Sequence, residues 1–308
     1  MCGFFMPAGL PFCQRLLECR MKHHIDPKID CVFKALLGAE DNRNLLVHFL
    51  NAILGSDLAA PISDVEILNP YNDKEYLEDK LSIVDVKARD DNNTIYQIEI
   101  QLLNFANLPG RILYNWADIY SQQLQSGDSY HQLRPTFSIW LLAENLIKDD
   151  ADYVHTYKIR DTKGRILNDH CAIWLLELQK FTAPQIENEQ QRWLRFFSEG
   201  EQLDDDAGLP DWMTTTEMRQ AMSTLRQFSE KDRDYHAYQA RQNFLREQLS
   251  RQQELDEERQ AKLEAIQREQ AAAKRELAAE AREQAALKLV QDKDAELEQL
   301  KALLAQKE

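Results

Sequence analysis

The last residue able to break a helix in this 308-residue chain is Pro210, because all nine glycines and all nine prolines lie at or before it. The 98 residues that follow contain neither. From about Tyr235 they are mostly Ala, Gln, Glu, Lys, Arg and Leu, the residues that lose least on entering a helix. Residues 235–308 are therefore expected to be helical, and at 1.5 Å per residue one such helix would extend about 110 Å. It could not fold back on a core without a break. Leu263, Ile266, Ala273, Leu277 and Leu287 follow a heptad spacing, but Gln270, Glu280 and Gln284 fall on the same seam. Two outcomes fit: a solvated single helix, or a weak coiled coil through which copies of the chain self-associate.

Upstream of the tail the pattern is mixed. Residues 28–37 and 42–54 have helical spacing, with Leu45, Leu46, Phe49, Leu50, Ile53 and Leu54 on one face and Gly55 as the stop. Residues 62–69 read as a strand ended by Asn69-Pro70. Residues 81–89 and 94–103 form two strand-like runs around the turn Asp90-Asp91-Asn92-Asn93. Pro109 opens a helix to about Ser126, closed by Gly127, and residues 136–143 and 171–178 look like buried strands. The order is α/β and suits a mixed sheet flanked by helices. The expected organisation is a leader or misassigned start over residues 1–20, since Met21 opens the patterned sequence, a domain over 21–230 with a helical C-terminal part, and a helical tail, possibly a coiled coil, over 231–308.

Composition narrows the function classes. No apolar run approaches the roughly 18–20 residues needed to cross a bilayer, so no membrane partner is expected. Five cysteines without a C-x-x-C pair fit a reducing cytoplasm, with Cys31 and Cys171 as small core residues. The seven histidines show no metal-ligand spacing. The net charge of −15 counts against a simple nucleic-acid binder, and almost all of it lies before Lys231.

Strand alternation decides which residues can meet. In the run LSIVDVKA, Asp85 and Lys87 share a face; in IYQIEIQL, Gln97, Glu99 and Gln101 do. If the two runs pair as a hairpin, one face is apolar and the other gathers Asp85, Lys87, Glu99 and Gln101. Such a hairpin with one solvated polar face is routine. The alternative is a site, because two close carboxylates repel unless a cation sits between them, and Mg²⁺ favours few carboxylates with waters and phosphate oxygens.

These residues resemble the PD-(D/E)xK nucleases, in which an Asp on one strand and an E-x-K on the next hold a metal. More narrowly, the chain is similar to the Rpn family of recombination-promoting nucleases and putative transposases. The likeness rests on IDPKIDCVFKALLGAEDN with NLLVHFLNAIL, on EDKLSIVDVKARDDNNTIYQIEIQ, and on RILYNWADIYSQQLQSGDSYHQL, with a weaker stretch, TTTEMRQAMSTLRQFSEKD. It implies a restriction-endonuclease-like mixed sheet, Mg²⁺ (or Mn²⁺) held by Asp85 and Glu99, and Gln101 where the broader superfamily has lysine. A neutral amide can orient water but supplies no charge, so Lys87 or Lys80 is the candidate replacement. Asp30 or Glu40 is the candidate third acid, and Arg111 and Tyr114 are candidates to meet phosphate.

The expected function is a metal-dependent DNA endonuclease of a mobile-element or recombination type, with DNA as partner and a possible homo-oligomer through the tail. RNA as substrate stays open, because a metal site does not read the sugar. The rival is a catalytically inactive interaction protein with the same fold, which the acidic balance favours.

Overall fold

A computed structural model describes residues 23–70, 84–104, 107–203 and 208–305. The leader expected over residues 1–20, Lys80 and the first residues of the 81–89 run lie outside the described residues. Six strands, β1 (Val65–Leu68), β2 (Val86–Asp90), β3 (Ile95–Gln101), β4 (Thr136–Leu142), β5 (Val154–Lys158) and β6 (Cys171–Glu177), form one sheet in the order β1-β2-β3-β4-β6-β5. β1, β2 and β3 pair antiparallel, β3, β4 and β6 parallel, and β5 closes the far edge antiparallel to β6. The mixed sheet flanked by helices expected from the element order is therefore present.

The hairpin register follows the alternation. Val86 pairs with Ile98, and Lys87 with Gln97, so odd-numbered positions of β2 and β3 share one face. Across the parallel pair, Gln97 meets Ser138, Glu99 meets Trp140 and Gln101 meets Leu142 on that same face. Helix α3 (Leu108–Ser121) covers it: Leu108 and Ile112 pack with Trp140, Leu142, Ile173 and Leu175 in one buried cluster. Pro109 sits in the first turn of α3, where its missing N–H leaves no intrahelical bond unmade. Trp116 Nε1 donates to the Thr136 carbonyl at 2.8 Å and ties the middle of α3 to the start of β4.

On the other side stand α1 (Asp30–Leu37), α2 (Arg43–Leu54), α4 (Glu189–Glu199) and α5 (Thr216–Glu230). An aromatic cluster of Phe33, Phe49, Trp193, Phe196 and Phe197 packs α1, α2 and α4 together. Gly38, just past α1, is held close: a Cβ there would lie 2.9 Å from the Lys34 carbonyl and 3.3 Å from Val86 Cγ2. The end of α1 thus lies close to the first residue of β2, and a side chain at position 38 would crowd the Lys34 carbonyl and the Val86 methyl.

Strand β5 was not anticipated, and the C-terminal part of the domain, expected to be helical, holds α4 and α5. β5 is a five-residue edge strand, partly exposed throughout, with no clear alternation to announce it. α4 carries Trp193, Leu194, Phe196 and Phe197 at helical spacing, and Asn188 caps it by accepting from Gln191 N. α5 is capped by Thr215 in the same way. Glu177, inside the apolar run at 171–178, is wholly buried. Its carboxylate accepts from the Leu146 and Ile147 amides and from Lys180 Nζ, and it lies 3.2 Å from His155 Nε2, fastening the loop after β4 to β6.

The long helix α6 runs Asp232–Ala305. The chain divides into a unit ending at Phe244 and a second unit, Leu245–Glu308. The first turns of α6 belong to the first unit. Tyr238 is buried, its hydroxyl accepts from Asp26 N at 3.1 Å, and Arg241 Nε lies 3.0 Å from Asp30 Oδ1. In the second unit Leu263, Ile266, Leu277 and Leu287 are exposed. Among the described residues no helix is long and apolar enough to cross a membrane.

Candidate active site

The polar row on β3 is not solvated. Gln97, Glu99 and Gln101 are 0%, 3% and 9% exposed, at the centre of the sheet and beneath α3. That removes the routine reading of a hairpin with one wet face, because polar side chains buried this deeply cost free energy unless each is satisfied.

Asp85 reaches this row from just outside the ladder. β2 begins at Val86, one residue later than a strand containing Asp85 would require, and Asp85 lies in a bend. Its Oδ2 accepts the Ile100 N–H at 3.0 Å, a side-chain oxygen taking the place of a strand carbonyl where the ladder stops. Its Oδ1 lies 3.2 Å from Lys34 Nζ on α1. Asp85 lies close enough for its charge to act on Glu99, whose pKa is pushed up to about 8. Burial raises it most, then the charge of Asp85; the Gln97 amide and Arg111 act in the opposite direction.

A chain of hydrogen bonds orients Glu99. Trp140 Nε1 donates to Ser138 Oγ at 2.8 Å, Ser138 Oγ donates to Gln97 Oε1 at 3.1 Å, and Gln97 Nε2 donates to Glu99 Oε1 at 3.1 Å. Indole is donor-only, so it directs the serine proton towards Gln97 and leaves the Gln97 NH₂ facing the carboxylate. Sequence reasoning missed Ser138 and Trp140. Register with β3 is what makes them relevant, and their run reads simply as a buried strand.

Gln101 is also held at both ends. Its Nε2 donates to the Leu103 carbonyl at 2.6 Å, and its Oε1 accepts from Arg111 Nη1 at 3.2 Å. Arg111, in the first turn of α3, lies 5.8 Å from the centre of the Trp140 ring. Tyr114, one turn later, is 46% exposed. Two cations therefore flank the carboxylates: Lys34 at Asp85, and Arg111 near Glu99 and Gln101. Lys87 shares their sheet face but lines a groove further along β2, with Arg89 and Arg134.

Neither candidate third acid joins the pair. Asp30 Oδ1 is engaged by Arg241 and by the Cys31 amide, and Glu40 is exposed beside Arg43. Among the described residues no group of three or more His, Cys, Asp or Glu side chains converges to hold a metal ion. Two carboxylates nevertheless suit Mg²⁺, which commonly takes one or two from the protein and completes its shell with water and substrate oxygens. The buried, mutually repelling pair of Asp85 and Glu99 has the donor chemistry for it.

Residues 27–254 match the model of a family described as PD-(D/E)XK nuclease family transposase. No curated protein and no solved structure matches the chain.

Proposed function

Because this chain belongs to the PD-(D/E)XK nuclease family transposases, we propose that it is a metal-dependent DNA endonuclease in which Asp85 and Glu99 hold Mg²⁺ or Mn²⁺. The observation that carries this reading is the burial of Glu99 against Asp85, held by the Trp140–Ser138–Gln97 chain. A carboxylate oriented so carefully, buried and set against a second carboxylate, is costly for folding alone and useful for binding a cation. When bound, the divalent cation would supply Lewis-acid polarisation of the scissile phosphodiester and acidify the attacking water.

The chain's own residues supply the rest. Gln97 keeps Glu99 in one rotamer, so little ordering is needed on cation binding. Gln101, fixed between Leu103 and Arg111, presents an amide that orients water but carries no charge. We assign the positive charge that the superfamily's lysine would bring to Lys34, whose ammonium is already 3.2 Å from Asp85 Oδ1. Arg111 is a second donor able to meet a phosphate oxygen.

Plasmid nicking tests the reading: cleavage with Mg²⁺ that is lost with chelator and lost in Asp85→Asn supports it. No cleavage by wild type under any divalent cation overturns it. The net charge of −15 favours a second reading, a non-catalytic interaction protein on the same fold. That reading expects cation binding without nicking, or neither.

A further inference from the structure

Beside the carboxylates, on the same face of the sheet, lies a groove of about 640 Å³ between the outer strands and the C-terminal half of α3. Three cations line it, Lys87, Arg89 and Arg134, and among the described lining residues there is no acid. In a chain with a net charge of −15 that segregation is unexpected. The opposite sheet face shows the reverse: a hollow of about 490 Å³ there is lined by Asp57, Asp64, Asp90, Asp91 and Asp169, with Lys158 as its one described cation. A polyanion would be drawn to the first surface and repelled from the second.

The cations also lead away from the chemistry in order. Lys87 and Arg89 occupy alternate positions of β2, so they point to one face about 6.6 Å apart, and Asp85 lies two residues before Lys87, just ahead of the strand. Lys87 sits across from Gln97, whose amide holds Glu99. Arg89 is partly exposed and lies 2.6 Å from the exposed Glu66, an ion pair weak enough in water to exchange for a phosphate. Amide side chains, Asn93 and Gln132 among them, fill out the groove, and none of the described lining residues is aromatic. Bases would find no stacking platform there, whereas phosphate oxygens would find donors.

We infer that the groove formed by Lys87, Arg89 and Arg134 is a sequence-independent track for the phosphate backbone of the DNA strand leading away from the scissile bond. The identity of the anion rests on the nuclease reading, but the groove can be tested without cleavage. Binding of a short labelled DNA duplex to the full-length protein would be measured in chelator across a range of salt concentrations. Each cation that meets a phosphate releases a counterion, so Lys87→Gln and Arg89→Gln should each reduce the slope of log affinity against log salt by about 0.9. They should weaken binding alike on unrelated sequences. Lys87→Arg should keep the wild-type slope, which separates lost charge from a disturbed fold. Wild-type affinity and slope in both glutamine variants, or no duplex binding by wild type, would overturn the track. Slope loss in a protein that never nicks would keep the track and sink the nuclease reading, while nicking with unchanged slopes would do the opposite.

Discussion

Lys34 Nζ and Asp85 Oδ1 lie 3.2 Å apart, an ion pair that joins the last turn of α1 to the residue preceding β2. Close by, Gly38 faces Val86, and a Cβ there would come within 3.3 Å of Val86 Cγ2. A lysine remote in sequence stands beside Asp85.

If Lys34 is the cation of the reaction, Lys34→Gln should lower the cleavage rate by about 10²-fold, the scale of removing one charged donor from a developing anion. Lys34→Arg should recover part of it. The side chain is 40% exposed, so little change in melting temperature is expected. A melting shift with an unchanged rate would make the pair a structural tie.

Glu99 gives a stability signature. Its proton is held more tightly in the folded than in the unfolded chain, so in chelator the folded state binds the extra proton as pH rises above the ordinary value of 4.5. Stability should therefore fall with rising pH through that window and level off above the raised value. Glu99→Gln should flatten this profile, be more stable than wild type at neutral pH in chelator, and fail to cleave. Added Mg²⁺ should raise the wild-type melting temperature more at high pH than at low pH, because it replaces the proton. Differential scanning fluorimetry across pH, with and without chelator, checks each part; a wild-type profile in Glu99→Gln would contradict it.

Gln101→Lys is expected to restore the motif residue only in part, because the new ammonium would meet the Arg111 guanidinium that now bonds the Gln101 oxygen. The double variant Gln101→Lys with Arg111→Gln should cleave faster than either single variant. Rates for the four proteins form a cycle whose coupling should be clearly non-zero. Additive effects would mean that the two side chains act independently.

The tail should be separable after Phe244 but not after Lys231. A stop after Phe244 keeps the buried Tyr238 and the Arg241–Asp30 pair. A stop after Lys231 removes both and should cost on the order of 3 kcal/mol, the scale of emptying a buried aromatic site. Self-association through Leu263, Ile266, Leu277 and Leu287 is expected to be weak and concentration-dependent, since Gln270, Glu280 and Gln284 interrupt the seam. Light scattering should show a mass that rises with concentration for the full chain and stays monomeric for the Phe244 truncation. Equal masses would refute association by the tail.

What depends on neighbours in the chain was readable without a structure. The period of two in residues 95–101 placed Gln97, Glu99 and Gln101 on one face, and β3 has that arrangement. The absence of Gly and Pro after Pro210, with strong helix formers throughout, was sufficient for α6. Alternation says which side chains share a face, but not whether water or another element covers it. That was decided by α3, whose Leu108 and Ile112 pack over Trp140 and turn a polar row into a buried one. It was likewise packing that brought Lys34 to Asp85, Arg111 to Gln101, and Ser138 and Trp140 into line behind Glu99. The Lys34–Asp85 and Ser138–Gln97 contacts join elements far apart in sequence, and their energy exists only once the intervening chain has folded. No local propensity carries a trace of it.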